Sequence, residues 1–304
     1  MKELLHLRIF TEYYHLVFGQ DETIDHNEIS QPVVIDPSTP LFEKIGKVYK
    51  SLAERNEFLF ISWRYLRKYS AKEIQSARFF QMFRTRHFEP TGEECGTGYD
   101  EDSACPVCHA GAKQTSPLRL KRSRIPKADM AESIAWGEET VVSERFVQLM
   151  KENNITGLDF APVFGEGEQG RKLNYYQVCP KFYLEFSSKT SFGKSPYDTS
   201  GREDARLVTF TLPNGKIFKK MCQPEIYKCP NGDNAGMDLL SEAYIRNTPE
   251  LKGLDFFASR QTVGSRAGLI RQHHIFFCSN RMRQIILDNK LKGFKFEVAH
   301  IVDE

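Results

Sequence analysis

Three cysteines, Cys95, Cys105 and Cys108, stand in the stretch GEECGTGYDEDSACPVCHAGAKQTS (residues 92–116) with the spacing C-x9-C-x2-C, and His109 follows directly. Two thiols separated by Pro106-Val107 lie on a turn tight enough to aim both sulfurs at one point. That is half of a tetrahedral zinc site, with Zn–S distances of about 2.3 Å. Cys95 arrives from a glycine-rich turn of its own and is the expected third sulfur. For the fourth ligand the first choice is Cys229, in Cys229-Pro230-Asn231-Gly232, which reads like a second knuckle lacking its second thiol. His109 comes next, although a residue adjacent to Cys108 reaches the same metal awkwardly, and His87 is third. Four protein ligands would make the site closed and structural, whereas water activation needs an open position.

Other uses of these thiols fit less well. A redox pair wants a helix beginning within C-x-x-C in a βαβ setting, but Asp100, Glu101, Asp102 and Gly111 surround this one with no helical period. Inert core cysteines want apolar neighbours, which the segment lacks. Hydrolytic or deaminating zinc chemistry has its own signatures, H-E-x-x-H or H-x-E paired with P-C-x-x-C. Neither is present. His273-His274 lie in a strand-like run and would point to opposite faces. Ser143 and Ser279 read as helix caps, not nucleophiles. The expectation is a non-enzymatic protein holding a structural zinc.

The rest of the chain must position this segment. Its 304 residues suit one large or two small domains. A net charge of +2 gives no general pull toward nucleic acid or membrane. Seven cysteines, three of them in metal spacing, suit a reducing compartment better than a disulfide framework. The first eighteen residues are interrupted by His6, Arg8, Glu12 and His15 and do not read as a signal peptide. No apolar run approaches the roughly 18 residues that span a bilayer. A cytoplasmic location is expected.

Along the chain, residues 4–18 suggest a strand, and residues 21–40, with three prolines, a loop or extended segment. Phe42, Ile45, Val48, Tyr49 and Leu52 recur at helical spacing, and Phe58 to Trp63 reads as a buried strand. Ser70-x-x-Glu73 is a capping box that should open a helix running through Ile74, Ala77, Phe80 and Met82. After the cysteines, Arg119, Lys121, Arg122, Arg124 and Lys127 offer a phosphate-binding arm. The competing reading buries Leu118, Leu120 and Ile125 of the same stretch and leaves the cations in water. Gly165-x-Gly167-x-x-Gly170 matches the dinucleotide fingerprint, but Arg171 to Val178 reads as a strand and not as a helix offering its N-terminus. Asn214-Gly215 between apolar runs is a hairpin turn signal.

The two halves echo each other. Residues 142–160 align without gaps to residues 278–296, with Ser143/Ser279, Arg145/Arg281, Gln148/Gln284, Asn153/Asn289, Gly157/Gly293 and Phe160/Phe296 identical. Each copy reads as a serine-capped amphipathic helix, a glycine, and then a strand. Cys105-Pro and Cys229-Pro, and Asp129 and Asp255, extend the echo at slightly shorter offsets. The fold expected is α+β, with mixed, mainly antiparallel sheets and flanking helices. It would comprise an N-terminal α/β region (1–90), a zinc-knuckle module (91–165) and a second related module with a hairpin insertion (166–304).

Glu94-Cys95-Gly96, Ala104-Cys105-Pro106-Val107-Cys108, Val142-Ser143-Glu144-Arg145, Gly157-Leu158-Asp159-Phe160 and Cys278-Ser279-Asn280-Arg281 together resemble the double-CXXCG motif proteins, a group associated with immunity proteins of bacterial toxin systems. His109 stands where that motif has glycine, and the second motif survives as Cys229-Pro-Asn-Gly. The resemblance covers the C-terminal two thirds. It implies a metal-dependent scaffold that binds a protein partner, a cognate toxin, in the cytoplasm. A nucleic-acid-binding zinc-knuckle protein, contacting phosphates through Arg119, Lys121, Arg122 and Arg124, is the second expectation. A zinc-dependent enzyme is the third.

Overall fold

The computed structural model describes residues 1–19, 25, 27–135, 137–167, 170–199, 206–211, 217–222 and 228–304. The chain divides into two compact units: Met1–Ser76 with Lys194–Thr199, and Ala77–Gly193 with Ser200–Glu304. The first division therefore falls at Ser76, ahead of the boundary expected after residue 90. Both units mix helices with largely antiparallel sheets, the α+β class read from the sequence.

In the first unit, β1 (Lys2–Phe10) runs straight into α1 (Thr11–Phe18), so only the front of the expected 4–18 strand is extended. β2 (Ser30–Ile35), α2 (Pro40–Ala53), β3 (Phe60–Lys68) and α3 (Ala71–Ser76) follow. The sheet order is β2-β1-β3, all antiparallel. Leu5, Leu7 and Ile9 alternate along β1 onto one face, where Ile45 and Leu52 of α2 and Val17 of α1 complete the core. β3 is an edge strand, and Phe58 and Ile61 are exposed, against the buried strand expected there. The Ser70–Glu73 capping box forms: the Ser70 N–H donates to Glu73 Oε2 at 2.7 Å, and the Glu73 N–H to Ser70 Oγ at 3.2 Å. Its helix stops at Ser76, however, and Phe80 and Met82 lie on a buried strand instead.

The second unit begins with β4 (Phe79–Arg84), β5 (His87–Phe88), β6 (Tyr99–Asp100), β7 (Lys113–Gln114), β8 (Arg119–Leu120), β9 (Met130–Ser133), β10 (Thr140–Ser143), α4 (Glu144–Glu152) and β11 (Leu158–Gly165). It continues with β12 (Lys172–Pro180), β13 (Tyr183–Leu184), β14 (Phe192–Gly193), β15 (Arg206–Thr211), β16 (Ile217–Cys222), β17 (Asn234–Gly236), β18 (Asp238–Leu239), β19 (Ala243–Arg246), β20 (Phe256–Val263), β21 (His273–Ser279), α5 (Asn280–Asp288) and β22 (Phe294–Val302). β15 and β16 pair as an antiparallel hairpin, while its Asn214-Gly215 turn lies outside the described residues. β12 occupies the place where a dinucleotide fold would need a helix.

The two large sheets have matching main paths, β5-β9-β10-β12-β11-β8 and β13-β20-β21-β4-β22-β19, and the second carries β17 as a seventh strand, parallel to β20. In each, the short outer strands run parallel to their neighbours and the four inner strands are antiparallel. Register matches too: Gln177 of β12 lies opposite Val141 and Ala161, and Gln81 of β4 lies opposite Phe277 and Glu297. Neither sheet is built from one continuous stretch of chain. β4 lies between β21 and β22, while β5, which follows it, returns to β9. β12 lies between β10 and β11, while β13 returns to β20.

The same reciprocity holds at the helices. Ser143 caps α4 by accepting the Phe146 N–H, and Ser279 caps α5 by accepting the Met282 N–H, at 3.2 and 3.1 Å. Each serine hydroxyl donates to an aspartate, Asp129 or Asp255. The other oxygen of each aspartate then accepts a backbone N–H from the opposite half, Lys292 or Thr156. Arg145 donates to the Asn289 carbonyl at the end of α5, and Arg281 to the Asn153 carbonyl at the end of α4, where a helix leaves its carbonyls unpaired. The buried faces are Phe146, Val147 and Met150 on α4 and Met282 and Ile286 on α5.

Candidate metal centre

Two short turns build the centre. In the first, the Cys105 N–H donates to the Ala110 carbonyl at 2.8 Å and the His109 N–H to the Cys105 carbonyl at 2.9 Å. The turn closes because His109 adopts a φ of +58°, in the left-handed region where glycine is the usual occupant. The β6–β7 ladder holds the base of this loop. In the second turn the Cys229 N–H donates to the Asn234 carbonyl at 2.9 Å, and Gly232 takes the positive φ, +80°. Both turns thus close between a cysteine N–H and the carbonyl five residues on. By that correspondence Asp233 takes the place of His109.

The turns meet. Donor atoms of Cys105, Cys108, Cys229 and Asp233 all lie within 4.8 Å of one another. The Sγ atoms of Cys105 and Cys229 are 3.7 Å apart, and Cys229 Sγ is 3.9 Å from Asp233 Oδ2. Two sulfurs bound to one tetrahedral zinc at about 2.3 Å stand about 3.8 Å apart, so the spacing fits a shared ion. Asn231 Nδ2 lies 3.5 Å from Cys105 Sγ, positioned as an outer donor to it. Cys108 and Cys229 are buried and Cys105 is half-buried. Burial, with the neighbouring thiols of Cys229 and Cys105 adding to it, pushes the Cys108 thiol well up. A cation is the partner that would let these sulfurs ionise together. Three thiols and one carboxylate suit zinc or another thiophilic divalent metal.

The sequence-based ligand set is corrected at one place and extended at another. Cys95 does not join the group. It is buried in its own turn, where Thr91 and Glu94 bond each other reciprocally and its carbonyl accepts the Gly167 N–H. Burial raises its thiol to about 11, opposed by a backbone hydrogen bond from Lys121. Cys229, the first choice for the fourth ligand, is present as the third sulfur. His109 lines a separate cleft with Tyr99 and Arg271, and His87 lies 3.9 Å from Glu132 with its side chain half exposed. Asp233 was missed. Its signal was its place four residues after Cys229, matching that of His109 after Cys105.

Asp233 is the exposed member of the group. With Asn231 and Gly232 it borders a cleft of about 360 Å³ that Arg260 and His274 also line. His274 Nδ1 faces the Ser259 carbonyl at 2.8 Å, and burial lowers the imidazole's pKa, so the ring is neutral with Nδ1 carrying the proton.

In the basic stretch after the cysteines, Leu118, Leu120 and Ile125 are buried. Arg119 donates to the Gly167 carbonyl and Lys121 lies 3.7 Å from Glu166, leaving Arg122 and Arg124 exposed. Two of the four cations expected to meet phosphate are therefore turned toward a neighbouring loop.

No protein-family model matches the chain, and no curated protein matches it. Among the described residues, no helix is long and apolar enough to cross a membrane.

Proposed function

We propose that the chain is a zinc-stabilised binding protein with no catalytic role for the metal. One observation supports the metal in this reading: three thiols and a carboxylate, on two turns whose cysteines are 124 residues apart in sequence, converge within 4.8 Å. Four protein donors fill a tetrahedral shell, and an ion so held crosslinks the two halves of the second unit. Its binding energy is then folding energy. The halves are read as two related modules that exchange their first strands, with one ion between their knuckles. The partner is read as a protein, and the resemblance to double-CXXCG proteins supplies its class, a cognate toxin met in the cytoplasm.

A second reading rests on Asp233. A carboxylate ligand bordering a cleft can yield its place to water or substrate, which is the arrangement of a zinc enzyme. One experiment separates the two. Protein purified without added metal should contain close to one zinc per chain. A strong chelator should lower its melting temperature by roughly 10 °C or more, as the loss of several kcal/mol implies for a unit of this size. An unchanged melting temperature after verified zinc loss would sink the structural reading in favour of the open site. The partner class is tested by co-expression: the chain should protect cells from the product of a toxin gene adjacent to its own, and absence of protection counts against that class alone.

A further inference from the structure

The three-stranded sheet of the first unit packs one face on α1 and α2, and its other face carries a charge pattern that folding alone does not favour. With Leu5, Leu7 and Ile9 turned to the core, Lys2, Leu4, His6 and Arg8 of β1 point the other way. The register places Lys2 directly across from Lys68, Leu4 from Leu66, His6 from Arg64, and Arg8 from Ser62. On the other flank, Val34 and Pro32 stand opposite His6 and Arg8. Lys2, Arg8, Pro32, Val34, Arg64 and Lys68 are all exposed.

Like charges directly opposite on paired strands repel. Among the described residues, none of Lys2, Arg8, Arg64 and Lys68 forms an ion pair with a carboxylate, although Lys2 is near enough to Asp36 to help lower its pKa; the ion pairs of this unit lie elsewhere, as at Glu3–Arg67. Arg8 donates to the Ser30 hydroxyl at 3.0 Å instead. Partial burial and then the charges of Arg64 and Lys68 lower the pKa of His6, so a neutral ring sits among the cations.

We propose that this face docks an acidic, partly aliphatic segment of a partner protein. The four cations call for anions. The choice between carboxylates and phosphates is made by what lies between them. Leu4, Leu66, Val34 and Pro32 offer apolar contact that a phosphodiester backbone cannot use. The aromatic residues that would stack bases, Phe60, Trp63 and Tyr65 on β3, belong to the core face instead. Four rows on three strands span on the order of 300 Å², well below the roughly 800 Å² per partner of a stable complex. The contact is therefore weak by itself and strongly salt-dependent.

The inference rests on the reading of the chain as a binding protein but not on the metal. Its test uses the full chain with zinc content verified, so its failure leaves the chelation result standing. A labelled peptide of alternating Glu and Leu, and an oligothymidylate of equal charge, are titrated by fluorescence anisotropy at ~50 and ~200 mM salt. The peptide should bind more tightly than the oligonucleotide and weaken with salt, and the Arg64→Glu/Lys68→Glu variant should lose about tenfold or more in affinity. If that variant fails to fold, Arg64→Gln/Lys68→Gln should show the same loss at smaller amplitude. Equal or tighter binding of oligothymidylate would overturn the assignment in favour of nucleic acid. So would no peptide binding, or peptide affinity unchanged in the substituted protein.

Discussion

Cys95 and Cys229 each lie in a turn with glycine nearby, and only their place in the fold tells their roles apart. Cys95 is closest in sequence to the C-x-x-C pair, yet its turn is closed on itself through Thr91 and Glu94. Cys229 is 124 residues from Cys105 in sequence and 3.7 Å from it between sulfurs. Single serine substitutions at Cys105, Cys108 and Cys229 should each remove most of the bound metal, while Cys95→Ser should keep it. Asp233→Ala should weaken binding without abolishing it, since three thiolates remain. Metal analysis against a competing chelator checks all five proteins. A Cys95→Ser protein stripped of zinc would restore the sequence-based ligand set and remove Asp233 from the shell.

At the scale of elements, the second unit depends on close crossings that only glycine permits. A Cβ on Gly157 would sit 2.0 Å from the Phe256 carbonyl oxygen, and one on Gly293 2.1 Å from that of Met130. Both glycines also have φ near +100°, at +93° and +107°. Each is the point where one half's helix-to-strand turn crosses the other half's strand, β20 or β9. Gly157→Ala and Gly293→Ala should each cost about 3 kcal/mol or more, from backbone displacement added to left-handed strain. Denaturant unfolding measures this, and a cost under about 1 kcal/mol at either site would mean the crossing is looser than described. Both helices, their serine caps and these glycines were legible because each is a local signal. The place of β4 between β21 and β22, and of β12 between β10 and β11, was not. Phe79-Phe80-Gln81-Met82, buried on both faces, carries no alternation, and Ile74, Ala77 and Phe80 happened to continue a helical period. Asp233 was hidden for a related reason, because a carboxylate in a polar turn looks like any solvated loop residue until the Cys229 turn is brought to the Cys105 turn.

At the scale of the whole molecule, the chain leaves the second unit after Gly193 and returns at Ser200, and the segment between them completes the core of the first unit. Trp63 Nε1 donates to the Lys194 carbonyl at 2.9 Å. The Tyr197 ring lies 4.7 Å from Phe42, 5.7 Å from Tyr49 and 6.4 Å from Phe60 between centroids, and Gly46 of α2 leaves room for it. Residues 1–76 alone therefore lack part of their own core. Tyr197→Ala should destabilise the first unit by about 3–4 kcal/mol, the usual cost of emptying an aromatic site. Tyr197→Phe should cost little or stabilise, because the hydroxyl is buried with no hydrogen-bond partner among the described residues. The candidate metal ligands all belong to the other unit, so metal content should not change in either variant. Thermal unfolding with and without chelator reads both effects in one series: the chelator should move one transition and Tyr197→Ala the other. If Tyr197→Ala shifted the chelator-sensitive transition by as much, the two units would be one cooperative body and the zinc would be stabilising all of it.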